Sequence, residues 1–377
     1  NTAVGHNALL VHTTGEGNSA FGQGALEANT TSNSNTALGY WSLYANTTGA
    51  TNVAVGSNAL QNNTTASDNV AVGVSALAAN TTGTNNTAVG RAALSTNSTA
   101  SSNTAVGQTA LQLNTTGANN TALGRSALGA NTTGARNTAL GYRALVANTT
   151  SVNNIAIGYE SMKVNTTGGS NTATGSYSGN ALTTGSDNVL LGFSAGASTN
   201  SLTTGQQNTL IGAHIHTSAA ASDGAVGVGY NLNCVGNYVT VGKGADDIRA
   251  VIGNVSWATV SDERYKKDIV ASTAGLSFVN ALQPRTFKYK TLGELPNTFD
   301  AYVADSTEVY KNSDTNHGFI AQEVKAAIDA DSGIKDGFRM WDDRPDGSQE
   351  VGEAALIPIL VNAIQELSAK VTALENA

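Results

Sequence analysis

Two short stretches of this 377-residue chain carry residues able to do chemistry. In Ser261 to Ile269, "SDERYKKDI", a serine hydroxyl stands five residues before Lys266. A serine is a poor nucleophile until a base takes its proton, and a neutral lysine can be that base. Burial and the neighbouring cations Arg264 and Lys267 would favour loss of the Lys266 proton by penalising its charged form. Residues five apart do not share a helical face, so a bend must bring the pair together. Taken alone, the cluster reads as an ordinary helix start rather than a catalytic pair, with Ser261 capping and the basic side chains solvated. The second stretch is "HIH", where His214 and His216 share one face if the segment is a strand. Three copies would then offer six imidazoles, an octahedral shell for a borderline transition metal. The plain alternative is a pair of solvated histidines.

Other chemistry is argued against by composition. Residues 1–255 hold only eight Asp and Glu, none paired as glycoside cleavage requires, although symmetry between copies could assemble a cross-chain pair. Those residues carry seven Lys and Arg, whereas residues 256–377 carry twelve, with nineteen carboxylates. A net charge of −8 argues against nucleic acid. The lone Cys234 forms no internal disulfide, and no run of eighteen apolar residues suits a membrane span. No secretory leader is visible, and because the chain opens inside a repeat, whether its true start lies upstream is left open.

The elements that must position these residues follow from a repeat. An Asn recurs every 17 residues from Asn1 to Asn188, making twelve copies of the phrase "NTAVG…AL…NTT". Position five is always Gly, position three is Ala until Leu190, and position four is apolar until Thr174. A fixed period with an internal apolar code predicts a solenoid of stacked coils. Two short strands per repeat are expected, with Gly at positions five and fifteen turning where φ is positive. At about 4.8 Å per coil, twelve coils make a rod of roughly 55–60 Å. Asn at positions one and twelve should stack in hydrogen-bonded columns. Positions four and nine are expected to fill each coil while the small Ala line a contact between three chains, with the opposite assignment open. At variable positions six and seven, aromatic residues such as Tyr40, Trp41, Tyr142 and Tyr159 should point outward, where they could touch saccharide or be ordinary surface.

The expected organisation is a solenoid shaft over 1–192, a β-rich neck over 193–256, where the period slips, and an α+β domain over 257–377. The whole is a mainly β chain. In the last domain, "STAGLSFVNAL" reads as a helix ended by Pro284, "RTFKYK" as a strand, and "HGFIA" into "QEVKAAI" as strand then helix. A final helix is expected over 356–376. Its residues Ile357, Leu360, Ile364, Leu367, Val371 and Leu374 are spaced as an a/d seam. The alternative is a single helix docked on its own domain.

Three resemblances add to this reading. "NTAVG" resembles the N-S-x-A-I-G phrases of trimeric autotransporter adhesin heads, left-handed parallel β-rolls that trimerise; the period differs. The H-x-H phrase resembles iron-holding sites in needles and fibres of some tailed phages. Four ordered blocks, "SDERYKKDI", "LSFVNALQPRTFKYK", "HGFIAQEVKAAI" and "ALIPILVNAIQELSAKVTALENA", resemble the peptidase S74 family. That family is the intramolecular chaperone at the C-terminus of phage tail fibres, tail spikes and endosialidases. It implies a homotrimer whose chaperone nucleates the upstream β-fibre and can then cut itself off. Ser261 would be the nucleophile, Lys266 the base and Ser261–Asp262 the scissile bond.

The resulting expectation is a structural trimeric fibre of a tailed phage, made in the host cytoplasm and carried on the virion tail. Its partners would be a host saccharide or protein receptor and other tail proteins, with neither nucleic acid nor membrane insertion. Any activity would be at most a single-turnover autoproteolysis. The alternatives are a polysaccharide-degrading tail spike and a bacterial trimeric surface adhesin, which would normally end in a membrane anchor.

Overall fold

Thr, Ala and Val at positions two to four form a three-residue strand, repeated once per copy from β1 (Thr2–Val4) to β12 (Val189–Leu191). These strands pair in parallel at a fixed offset of one repeat, with Ala88 opposite Ala105 and Ala105 opposite Ala122. The computed structural model describes residues 1–197, 201–244, 246–252, 269, 271–299, 301–331, 334, 340–343 and 348–377. It divides into two compact units, Asn1–Val260 and Ser261–Ala377. The first is a β-solenoid with one sheet running its length.

Each strand stops at the fifth-position glycine, whose φ lies between 127° and 141° in all twelve repeats. A Cβ at Gly107 would stand 2.7 Å from the carbonyl carbon of Gly124 in the next coil, so both conformation and space exclude a side chain. The remainder of the coil is a chain of turns, which corrects the expectation of a second strand. Positions seven, nine and seventeen are left-handed, as at Thr109 (φ 57°), Leu111 (φ 50°) and Asn119 (φ 60°). Such residues cannot continue a strand, yet their amides still bond across coils. Thr109 N–H donates to Arg91 O on one side and Leu111 N–H to Ala127 O on the other, both at 3.0 Å. Position fifteen was expected to carry positive φ; position seventeen carries it instead. Gly117 serves close approach, since a Cβ there would lie 2.6 Å from Asn114 Oδ1.

The pleat sends position three inward and positions two and four outward. Ala105, Ala110 and Leu111 are wholly buried with Asn103 and Asn114, and the same set recurs coil after coil. The apolar fourth position faces out, with Leu38 49 % and Leu123 45 % exposed. Position nine thus fills the coil as expected, whereas position four and the Ala exchange their expected places: the Ala help fill the chain's own interior, and the fourth-position side chains form an outer stripe.

Both Asn columns form as expected and converge on one carbonyl. Asn52 Oδ1 accepts the backbone N–H of Asn69 (3.0 Å), and Asn52 Nδ2 donates to Ala66 O (2.9 Å). From the other column Asn63 Nδ2 donates to Asn46 Oδ1 (2.8 Å) and to the same Ala66 O (2.9 Å). Near the end of the regular repeats the core changes composition. Position nine becomes Gly179 and Gly196, while Leu190 replaces the third-position Ala and Leu182 and Leu202 replace the twelfth-position Asn. A Cβ on Gly179 would meet Leu190 Cδ1 at 2.8 Å, so the displaced volume is refilled from another position. The change leaves Asn165 Oδ1 without a donor below it.

Stacking continues past residue 192, where the sequence places the neck. β13 (Thr209–Ile211) pairs on β12, β15 (Val226–Tyr230) on β13, and β17 (Tyr238–Lys243) on β15, all parallel. The boundary thus marks a change of coil length. A side ladder joins β14 (His216–Thr217) to β16 (Asn233–Cys234), and antiparallel β18 (Asp246–Val251) closes the sheet.

The second unit is α+β. Helices α1 (Leu276–Ala281), α2 (Ala321–Ala330) and α3 (Ile357–Glu375) accompany the antiparallel pairs β19 (Arg285–Phe287) with β20 (Asn316–Gly318) and β21 (Trp341–Asp343) with β22 (Gln349–Val351). Phe278, Val324, Ile328, Met340, Leu356 and Ile359 form its core. Among the described residues no helix is long and apolar enough to cross a membrane.

Candidate functional site

Ser261, Asp262 and Lys266 lie outside the described residues, so the frame around them is what the structure supplies. The chain that leaves the motif is tied to the last helix. Asn362 Nδ2 on α3 donates to Ala274 O at 2.8 Å, and Glu366 Oε2 accepts the Leu276 N–H at 3.2 Å, capping α1. Gly275 has no side chain because the Glu366 carboxylate occupies that space; a Cβ would meet its Cδ at 2.7 Å. Ile359 and Ala363 are buried on the same side of α3. The strand that follows is tied to α2 by a two-pronged ion pair, with Arg285 Nε 2.9 Å and Nη2 2.6 Å from the Glu323 oxygens. The Arg285 hydrogen bonds hold the Glu323 carboxyl below its ordinary range.

The docked side is only part of α3. Ile357 is 61 %, Ile364 65 % and Leu374 77 % exposed, and Leu367 and Val371 are also open. The reading of a helix docked on its own unit therefore holds for one face, while the a/d seam stays bare.

The His214–His216 premise is corrected. His214 sits in a left-handed turn (φ 56°), and only His216 begins a strand. The His214 ring packs against Phe193 and Tyr230, at 5.1 and 5.9 Å between centroids. Consequently the two imidazoles do not project as strand neighbours. Among the described residues no group of three or more His, Cys, Asp or Glu gathers for a metal. Iron or another transition metal would need ligands from further copies and His214 drawn out of its stack.

That stack is an arrangement the sequence reading missed. Tyr142, Tyr159, Tyr177, Phe193, His214 and Tyr230 form an unbroken column over six coils, with centroid spacings of 5.3, 5.3, 6.0, 5.1 and 5.9 Å. Arg125 lies 5.9 Å from the Tyr142 ring centre, and Glu160 bridges Arg143 (3.3 Å) and Lys163 (3.0 Å). Lost hydration in the stack, then the Glu160 charge, raise the Tyr159 phenol above 10.0. The rings are divided between positions six (Tyr142, Tyr159, Phe193, Tyr230) and seven (Tyr177, His214), and the 20-residue step from Asn188 to Asn208 hides their continuity in the sequence. Coil-by-coil alignment could have found it.

Residues 261–332 match the family model described as chaperone of endosialidase, the peptidase S74 model. The match starts at Ser261, the first residue of the second unit. No curated protein and no solved structure matches the chain.

Proposed function

We propose that this chain is the protomer of a homotrimeric fibre on the tail of a phage particle. Residues 1–260 form a shaft that serves host attachment, and residues 261–377 act as an intramolecular chaperone that starts the trimer. The carrying observation is the coincidence at Ser261, where the second unit and the family match both begin. A cut at Ser261–Asp262 would separate shaft from chaperone with neither unit disrupted. In this reading the Ser261 hydroxyl of one copy attacks the Ser261 carbonyl of another, since its own would close a four-membered ring. Lys266 takes the hydroxyl proton and passes it to the departing Asp262 amine, and water then hydrolyses the ester, a single turnover per chain. Copies meet along two bare apolar surfaces, the fourth-position stripe of the shaft and the seam of α3. Mature fibres reside on the virion tail after synthesis in the host cytoplasm, joined to other tail proteins and touching a host receptor.

A polysaccharide-degrading spike is less well supported. Of the few carboxylates in the shaft, Glu160 and Asp247 are each engaged with cations.

Mass spectrometry of the purified chain and of Ser261→Ala and Lys266→Ala tests the cleavage part. The expected result is two fragments meeting at Ser261 from the parent and an intact 38.2 kDa chain from each variant. An intact parent would remove self-cleavage. A chain ending at residue 260 that assembles unaided would remove the chaperone.

A further inference from the structure

The column of six rings is more than the stacking of coils requires, because coils one to eight stack without one. Between Tyr44 and Tyr142 the chain has no aromatic residue. The alternation within the column is regular. Tyr159, Phe193 and Tyr230 are 44 %, 47 % and 49 % exposed, while Tyr142, Tyr177 and His214 are half-buried. The three open rings stand two coils apart, about 9.6 Å at each step. A β-1,4-linked pyranose chain presents the same sugar face after every second residue, over nearly this distance. The C–H face of a pyranose packs on an aromatic ring, and the Tyr159 and Tyr230 hydroxyls offer hydrogen bonds at the rim.

Charge points to one class of glycan. Residues 1–192 contain five cations, and three of them, Arg125, Arg143 and Lys163, stand at the Tyr142 end of the column with only Glu160 to balance them. The remaining surplus suits carboxylate groups on the ligand.

We infer that the column from Tyr142 to Tyr230 is a lengthwise track for an extended acidic β-1,4-linked polysaccharide. This rests on the attachment reading above and names the chemistry of the receptor. The rings supply stacking at every second sugar, and the cations hold acidic groups at one end.

The test is calorimetric titration of the assembled full-length protein with a β-1,4-mannuronate hexasaccharide and with neutral cellohexaose. The acidic hexasaccharide should bind roughly tenfold more tightly than the neutral one. The Tyr159→Ala, Phe193→Ala, Tyr230→Ala triple variant should lose about tenfold in affinity. A second variant, Arg125→Gln with Lys163→Gln, keeps every ring and should weaken only the acidic ligand. Binding of neither sugar, equal binding of both, or undiminished binding by both variants overturns the track. Column tyrosines that resist iodination in the assembly would overturn it too, since copies would then cover them. An assembly of unchanged mass that binds no glycan sinks the track alone, whereas failure of assembly sinks the fibre reading beneath it.

Discussion

At the scale of single residues the shaft is governed by what cannot carry a side chain and what cannot lose a hydrogen bond. Gly107→Ala places a Cβ where φ is 130° and the next coil is in contact, and should cost at least about 1–3 kcal/mol. Urea unfolding of the full chain reads this as a lower midpoint, and an unchanged midpoint would contradict it. Asn103→Leu deprives the Asn120 N–H of its acceptor (2.9 Å) and Gly117 O of a donor (3.0 Å). The orphaned Asn120 N–H costs about 1–3 kcal/mol, while Gly117 O keeps its bond from Asn114 Nδ2 (2.9 Å), so this variant should be clearly less stable than the parent. Leu190→Ala should cost about 2–5 kcal/mol, because Gly179 and Gly196 beside it cannot fill the space. Burial pushes the Cys234 thiol up from 9.0 to about 11. The fold thus favours the protonated thiol, a contribution complete below pH 9.0 and lost as pH rises through about 11. The parent should lose stability relative to Cys234→Ala across that window in thermal melts. The Asn columns and invariant Gly were legible in the sequence because only a few residue types suit those stations. The left-handed Leu at position nine was not, since intrinsic preference opposes it and coil stacking overrides that preference.

At the scale of elements, the question is which faces the fold leaves bare. Leu123→Asp lies on the outward side of a strand and should alter the stability of an isolated coil stack by no more than about 0.5 kcal/mol. Set against its copies on the fourth-position stripe, it should instead disperse the assembly, seen as a lower mass in sedimentation. Ile364→Asp with Leu367→Asp makes the same distinction on α3, where helix content by circular dichroism should persist while association is lost. Retained association in both variants would place the contact elsewhere. Strand and helix positions were legible here from period and punctuation: "TAVG" before Gly, and "LSFVNAL" before Pro284. The inside and outside of the strand were not, because Ala and Val are both apolar and a three-residue strand gives no alternation to count. The second strand was misread for a related reason. "ALQLN" has strand composition, but its alternate residues lie in turns that bond to both neighbouring coils.

For the whole molecule, the division into a repetitive, weakly charged part and a charged C-terminal part was legible from composition alone. The structure draws the line at Val260 and Ser261, against 256 and 257 in the sequence reading. The candidate site was legible only as a motif, since Ser261 and Lys266 are ordinary residue types and the sequence between them does not state how they meet. The aromatic column escaped notice because its members belong to six separate coils. The account's central claim is that three identical chains form one fibre under direction of their own C-terminal unit. Sedimentation equilibrium on the full-length Ser261→Ala protein tests this most directly, because an uncut chain removes ambiguity from cleavage. The account predicts a single species at three times the 38.2 kDa chain mass, unchanged on dilution. A folded species at one chain mass would contradict it.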